Sequence, residues 1–154
     1  FSQILLGEDT NISLNDTREL LIETCDLEPV LQDEIIYLVS KGASIFVFEV
    51  SELGKELCNE TFGFIPNIKI HYDHVQLGKY AYESNSTLYR VCGVLLKELY
   101  CDLVMLANGE VAYVLRINGE TFCDDANPII MDYATKILFD EMEIDFTFKK
   151  LPRK

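Results

Sequence analysis

Carboxylates are the residues in this chain with the most obvious capacity for chemistry. The sequence holds 26 Asp and Glu against 13 Lys and Arg, a formal charge of −13. Residues 8–34 carry nine acids and one base, and residues 120–145 carry eight acids and one base. Residues 35–119 are nearly balanced, with nine acids and seven bases. Grouped carboxylates can move protons, hold calcium or attract a cationic partner. Calcium loops need ligands at ordered spacing around a central glycine. Neither Asp124-Asp125 nor the set Asp140, Glu141, Glu143 and Asp145 has that order. The second set crowds the end of an expected helix, where the macrodipole disfavours negative charge. That cost makes a partner-binding use of the second set more credible, and the meander edge with Asp124 and Asp125 is the next candidate. The simpler alternatives are a solvated face, or neutralisation by Lys149, Lys150, Arg153 and Lys154.

Other chemistries find no support. His71 and His74 are the two histidines and flank Tyr72-Asp73. On a strand, His71 and Asp73 point one way and His74 the other, so the three cannot chelate one ion. Five cysteines (Cys25, Cys58, Cys92, Cys101, Cys123) form no CxxC, which argues against a zinc site or a redox motif. Their mostly apolar neighbours mark them as small buried hydrophobes in a reducing compartment. No Gly-x-Ser-x-Gly elbow, phosphate loop or dinucleotide fingerprint occurs. Asn-x-Ser/Thr triplets at Asn11, Asn15, Asn59 and Asn85 are chance occurrences in such a setting. The expectation is a protein that is not an enzyme, with no catalytic residue, no metal and no cofactor.

The charge argues against nucleic acid and anionic membrane surfaces as partners, because both favour a basic surface. No apolar run approaches 18 residues, so no membrane insertion is expected. The stretch Ile4-Leu5-Leu6 is too short for a signal segment, and an opening at Phe1 fits a leader or tag lying upstream. A cytoplasmic location follows as an expectation. With 154 residues and 49% hydrophobic content, the chain is expected to fold as a single domain over 1–154.

The elements that must position these residues are legible from period and punctuation. Residues 2–6 read as a short strand, and Asp16 with Glu19 as a capping box before a stripe of Leu20, Leu21, Thr24 and Cys25. Ile35–Val39 and Ile45–Val50 read as a hairpin turning through Lys41-Gly42, its strands buried on much of both faces. Ser51 and Gly63 bracket a short helix carrying Leu53, Leu57 and Cys58. Ile68, Ile70 and Tyr72 alternate with polar residues as in a half-buried strand. Leu88, Val91, Cys92, Leu95, Leu96 and Leu99 make the strongest helical stripe, with Gly93 expected to allow a close helix–sheet approach. Asn108-Gly109 and Asn118-Gly119 divide residues 103–123 into a three-stranded meander. Asn127-Pro128 caps a last helix bearing Ile130, Tyr133, Ala134, Ile137 and Leu138, and Ile144, Phe146 and Phe148 alternate as a final strand. The fold class is α+β: a mainly antiparallel sheet with helices packed against it.

From Phe48 to Asp125 the chain resembles the SitI-type immunity family, which protects bacteria from cognate toxins delivered by kin. The resemblance is carried by Glu49-Val50-Ser51-Glu52-Leu53 and by Thr61-Phe62-Gly63-Phe64-Ile65-Pro66-Asn67. After the long helix, Asp102-Leu103-Val104-Met105-Leu106-Ala107-Asn108-Gly109-Glu110 and Tyr113-Val114-Leu115-Arg116-Ile117-Asn118-Gly119 continue it. Residues 1–33 and 126–154 carry no recognisable likeness. The resemblance implies a bacterial binding protein that occludes a toxin's functional surface, with no catalytic motif to carry over. The expected partner is a cognate protein toxin with a basic surface, met through the acidic residues. Alternatives from other classes are an acidic adaptor or oligomeric interaction domain, and a small enzyme acting on a cationic substrate.

Overall fold

Apolar residues at period two build the frame of the molecule, and the computed structural model describes residues 1–10, 12–40, 42–74 and 79–153 of it. Nine strands are described: β1 (Ser2–Gly7), β2 (Glu28–Gln32), β3 (Ile35–Ser40), β4 (Ala43–Glu49), β5 (Pro66–His74), β6 (Leu103–Ala107), β7 (Val111–Ile117), β8 (Glu120–Asp124) and β9 (Thr147–Lys149). They form one sheet in the order β2-β3-β4-β5-β1-β6-β7-β8-β9. Every neighbouring pair is antiparallel except β8–β9, which is parallel. The helices are α1 (Leu14–Cys25), α2 (Glu52–Phe62), α3 (Ala81–Glu98) and α4 (Pro128–Tyr133), the last continuing as a π-helical segment over Ala134–Glu141. The α+β class and the mainly antiparallel sheet are as expected.

Alternation divides the apolar side chains between two cores. Ile4, Leu6, Ile45, Val47, Ile68, Ile70, Tyr72 and Met105 point to the side covered by α1, α3 and the C-terminal helix. Leu5, Val104, Leu106 and Leu115 point the other way, under Cys58, Phe62 and Phe64 from and after α2 and under Leu151. Both Asn-Gly turns have positive φ at each central residue, which joins β6, β7 and β8 as the meander. A buried arginine locks this meander to α3. Arg116, 7% exposed, donates to the carbonyls of Leu96, Leu99 and Cys101 at 2.6, 2.6 and 2.8 Å, satisfying groups that the end of α3 leaves open.

Several expectations need correction. Ser13, not Asp16, caps α1: its Oγ accepts from the Asp16 N–H at 3.0 Å. Within α2 the buried residues are Cys58 and Phe62, while Leu53 and Leu57 are exposed. The Ile35–Val39 strand is not buried on both faces, since Ile35 and Ile36 are open to solvent. Beyond it lies β2, an edge strand that no alternation announced. Gly93 allows a helix–helix rather than a helix–sheet approach, because a Cβ there would overlap Met142 Sδ and sit 3.2 Å from Leu138 Cδ2. Asn11, Lys41 and Lys154, invoked above for a triplet, a turn and charge neutralisation, lie outside the described residues. No described helix is long and apolar enough to cross a membrane.

Candidate functional site

The six acids expected to meet a partner fall in two places, as the two sequence clusters do. Asp124 pairs with Lys149 in the parallel β8–β9 register, and Phe122 with Thr147. Asp124 and Asp125 therefore sit at the exit end of this pair, whereas Asp145 precedes its entry end. Counted along the strand, Asp145 stands four positions before Lys149, the partner of Asp124, which is on the order of 13 Å. Asp124 is moreover 4% exposed, and its carboxylate accepts from the backbone N–H of Leu151 at 3.0 Å. It fastens the C-terminal segment to the sheet, and only Asp125 of that pair faces solvent.

At the other end, Asp140, Glu141, Glu143 and Asp145 are all exposed. Glu141 is partly neutralised, because Arg90 grips it through both carboxylate oxygens at 2.7 and 2.9 Å. That bidentate contact pulls its carboxyl below the usual range. The unfavourable helix terminus is also relieved locally. Lys97 Nζ donates to the Met142 carbonyl at 3.2 Å, and Ile144 N–H returns to Leu138 O at 2.8 Å. The second bond reaches back six residues and closes the turn around Glu143, whose φ is 59°. A glutamate in the left-handed region is uncommon and presents its carboxylate outward from the turn. Among the described residues, Asp140, Glu143 and Asp145 have no ion-pair partner at this end.

A second surface was missed by the acidic reading. On the half of the sheet that α2 does not cover, the register aligns Phe46 of β4 with His71 of β5, and His71 with Gln3 of β1. Tyr37 and Phe46 stack with ring centroids 5.3 Å apart, Phe46 and Phe48 at 6.0 Å, and Phe1 and His71 at 5.0 Å. Phe48 is 41% exposed and carries Lys69 Nζ 5.6 Å above its ring. Asp33 lies beside Tyr37 and Phe46 in a hollow of about 290 Å³, and Asp73 Oδ1 lies within hydrogen-bond reach of His71 Nε2 at 3.0 Å. Past this row, the β2–β3 hairpin projects Leu31, 71% exposed, and Ile35. Aromatic residues at the centre with charges around them is the composition of a protein–protein contact. The signal was present in Ile45–Val50, where Phe46 and Phe48 interleave with Ile45 and Val47. Continuous apolarity implied cover on much of both faces, yet on one of them Phe46 is only half-buried and Phe48 is exposed, with Val50 alone covered.

Reactive chemistry is sparse. Cys25, Cys92, Cys101 and Cys123 are free thiols whose burial pushes their pKa values up, that of Cys123 to about 12. Such thiols make poor nucleophiles. Among the described residues, no three of His, Cys, Asp and Glu converge as a metal site. His71 and His74 do point to opposite faces, His71 toward Asp73 and His74 Nε2 toward Ser2 Oγ at 3.3 Å.

The model of a protein family described as SitI3-like matches residues 4–134. The match runs past both ends of Phe48–Asp125, so residues 4–47 and 126–134 share the family pattern, contrary to expectation. The aromatic row lies almost wholly inside it, whereas Asp140, Glu141, Glu143 and Asp145 lie beyond it. No curated protein and no solved structure matches the chain.

Proposed function

The chain belongs to the SitI3-like family, and from that premise we propose that it is an immunity protein that binds a cognate bacterial toxin and covers its functional surface. The family match carries this reading, and the exposed aromatic row supports a mechanism by binding rather than catalysis. Phe46, Phe48 and Tyr37 supply rigid apolar area that loses little side-chain entropy when a partner covers it. The acids have a separate role. Asp125, Asp140, Glu143 and Asp145, with the remaining excess of negative charge, set up a field that draws in a toxin with a basic surface and repels acidic competitors. The protein acts as one unit over residues 1–154 in the cytoplasm, where an incoming toxin would meet it.

A second reading is an oligomeric interaction domain that uses the same aromatic row against its own copy. A charge of −13 on each copy opposes that pairing. Size-exclusion chromatography with light scattering separates the two. The immunity reading predicts a monomer that forms a one-to-one complex with the toxin domain encoded beside it. A stable dimer through the aromatic row, with no affinity for that domain, would sink it.

A further inference from the structure

The aromatic row on the open sheet face has two unlike ends. At one end Phe48 already carries a cation of the chain itself, with Lys69 Nζ 5.6 Å from the ring centroid. At the other end Tyr37 and Phe46, stacked with planes 23° apart, border the hollow of about 290 Å³. Gln32, Asp33 and Ser44 are its polar members, and among the described residues no Lys or Arg lines it. Each of these side chains is half-buried or exposed, so an incoming group can touch them.

The backbone holds Asp33 at the rim. Asp33 and Glu34 form the two-residue turn between β2 and β3, both with positive φ, and the register closes with Gln32 opposite Ile35. Among the described residues the Asp33 carboxylate has no ion-pair partner. Tyr37 Oη donates to Gln32 Oε1 at 3.2 Å, which commits the hydroxyl proton and leaves the oxygen's lone pairs as acceptors. Two electron-rich rings, a carboxylate and a phenol oxygen thus meet with no positive charge among them. That combination attracts a planar cation.

We propose that this hollow receives an arginine side chain of the bound protein partner, its guanidinium plane against the Tyr37–Phe46 pair and its N–H groups on the Asp33 carboxylate. Guanidinium fits better than ammonium, because it is planar, stacks on aromatic faces and is less strongly hydrated. The formal charge of −13 and the basic partner it favours supply the complementarity. Lys69 makes the same kind of contact internally at the Phe48 end, which leaves the Tyr37 end for a cation from outside. The inference deepens the role proposed for the row and rests on that reading for the identity of the partner. The chemistry of the hollow does not.

The test starts with the intact chain and N-acetyl-arginine amide, followed by NMR at the Tyr37 and Phe46 rings at constant ionic strength. N-acetyl-citrulline amide is the neutral probe of the same shape. The arginine probe should shift both rings, with citrulline at least about threefold weaker, because it lacks the charge for cation–π contact and carboxylate pairing. Asp33→Asn keeps a residue suited to positive φ and should weaken the arginine probe about threefold with an unchanged melting temperature. Glu34→Gln removes the same charge beside the hollow and should change binding by less than about twofold. No ring shift up to roughly 100 mM probe, citrulline binding as well as arginine, or an Asp33→Asn chain that binds as before overturns the proposal. The same variant is then titrated against the toxin domain encoded beside this chain. A loss of about threefold or more upholds the hollow as the partner's anchor, and unchanged affinity overturns it. A chain that binds the arginine probe but not the toxin domain sinks the immunity reading alone, and the arginine site stands.

Discussion

Phe48→Ala is the most direct probe of the aromatic row. Phe48 is 41% exposed, and an aromatic side chain offers roughly 200 Å² in all, so about 80 Å² remains for a partner to cover. At about 25 cal/mol per Å² that area contributes about 2 kcal/mol, or about a 30-fold loss of toxin affinity when it is removed. The folded chain should lose stability as well, because the roughly 120 Å² of Phe48 already covered contributes about 3 kcal/mol by the same measure. The substitution also takes away the Phe46 stacking and the Lys69 contact at the surface, together worth on the order of 1 kcal/mol and a few degrees in melting temperature. Calorimetric titration against the purified toxin domain, with a thermal melt alongside, reads both quantities. Ile129→Ala is the control, since Ile129 is exposed but lies on α4 across the sheet. Phe48→Ala within threefold of the unaltered chain, or Ile129→Ala equally damaging, would show that exposed apolar area on this row does not hold the toxin.

The steering role predicts a kinetic signature. Asp140→Lys, Glu143→Lys and Asp145→Lys together should slow association at least about tenfold at low salt while dissociation changes little, measured by stopped flow. A change confined to dissociation would make these acids direct contacts instead. Arg116→Met removes three bonds to carbonyls at the end of α3 and beyond it and should cost about 3 kcal/mol or more, a fall in melting temperature of roughly 6–12 °C. A loss under about 1 kcal/mol would mean that the carbonyls find other partners. Gly93→Ala would gain about 1 kcal/mol of helix propensity if there were room. Contact with Met142 Sδ should reverse the sign to a net loss of about 1–2 kcal/mol, relieved in the double variant with Met142→Ala. A stabilised single variant would show that Met142 moves aside freely.

Elements with a strong local cause were legible in the sequence. The two Asn-Gly turns fixed the meander because few other residues accept positive φ at both central positions. The stripe from Leu88 to Leu99 and the alternation of Ile68, Ile70 and Tyr72 appear in the fold as their periods required. What escaped depended on neighbours distant in sequence. Whether Phe46 and Phe48 are covered depends on where α2 ends up, and it settles over Leu5 and Val104 instead. The edge strand β2 contains Pro29 and exposes four of its five residues, so it carries no burial pattern to detect. The placement of the acids was hidden for the same reason. Asp124 and Asp145 look adjacent in composition, but a helix and a parallel strand place them at opposite ends of one unit. Nor could sequence alone show that Asp124 is used internally, since its partner is the backbone of Leu151, 27 residues away.

The measurement that bears most directly on the central claim is survival of a bacterial host expressing the toxin domain encoded beside this chain, with and without the chain supplied from a second promoter. The account predicts that the toxin domain alone kills and that the intact chain restores growth. It further predicts that Phe48→Ala combined with Leu31→Asp restores growth poorly at equal abundance of folded protein. A lethal toxin domain that the intact, folded chain fails to neutralise would contradict it.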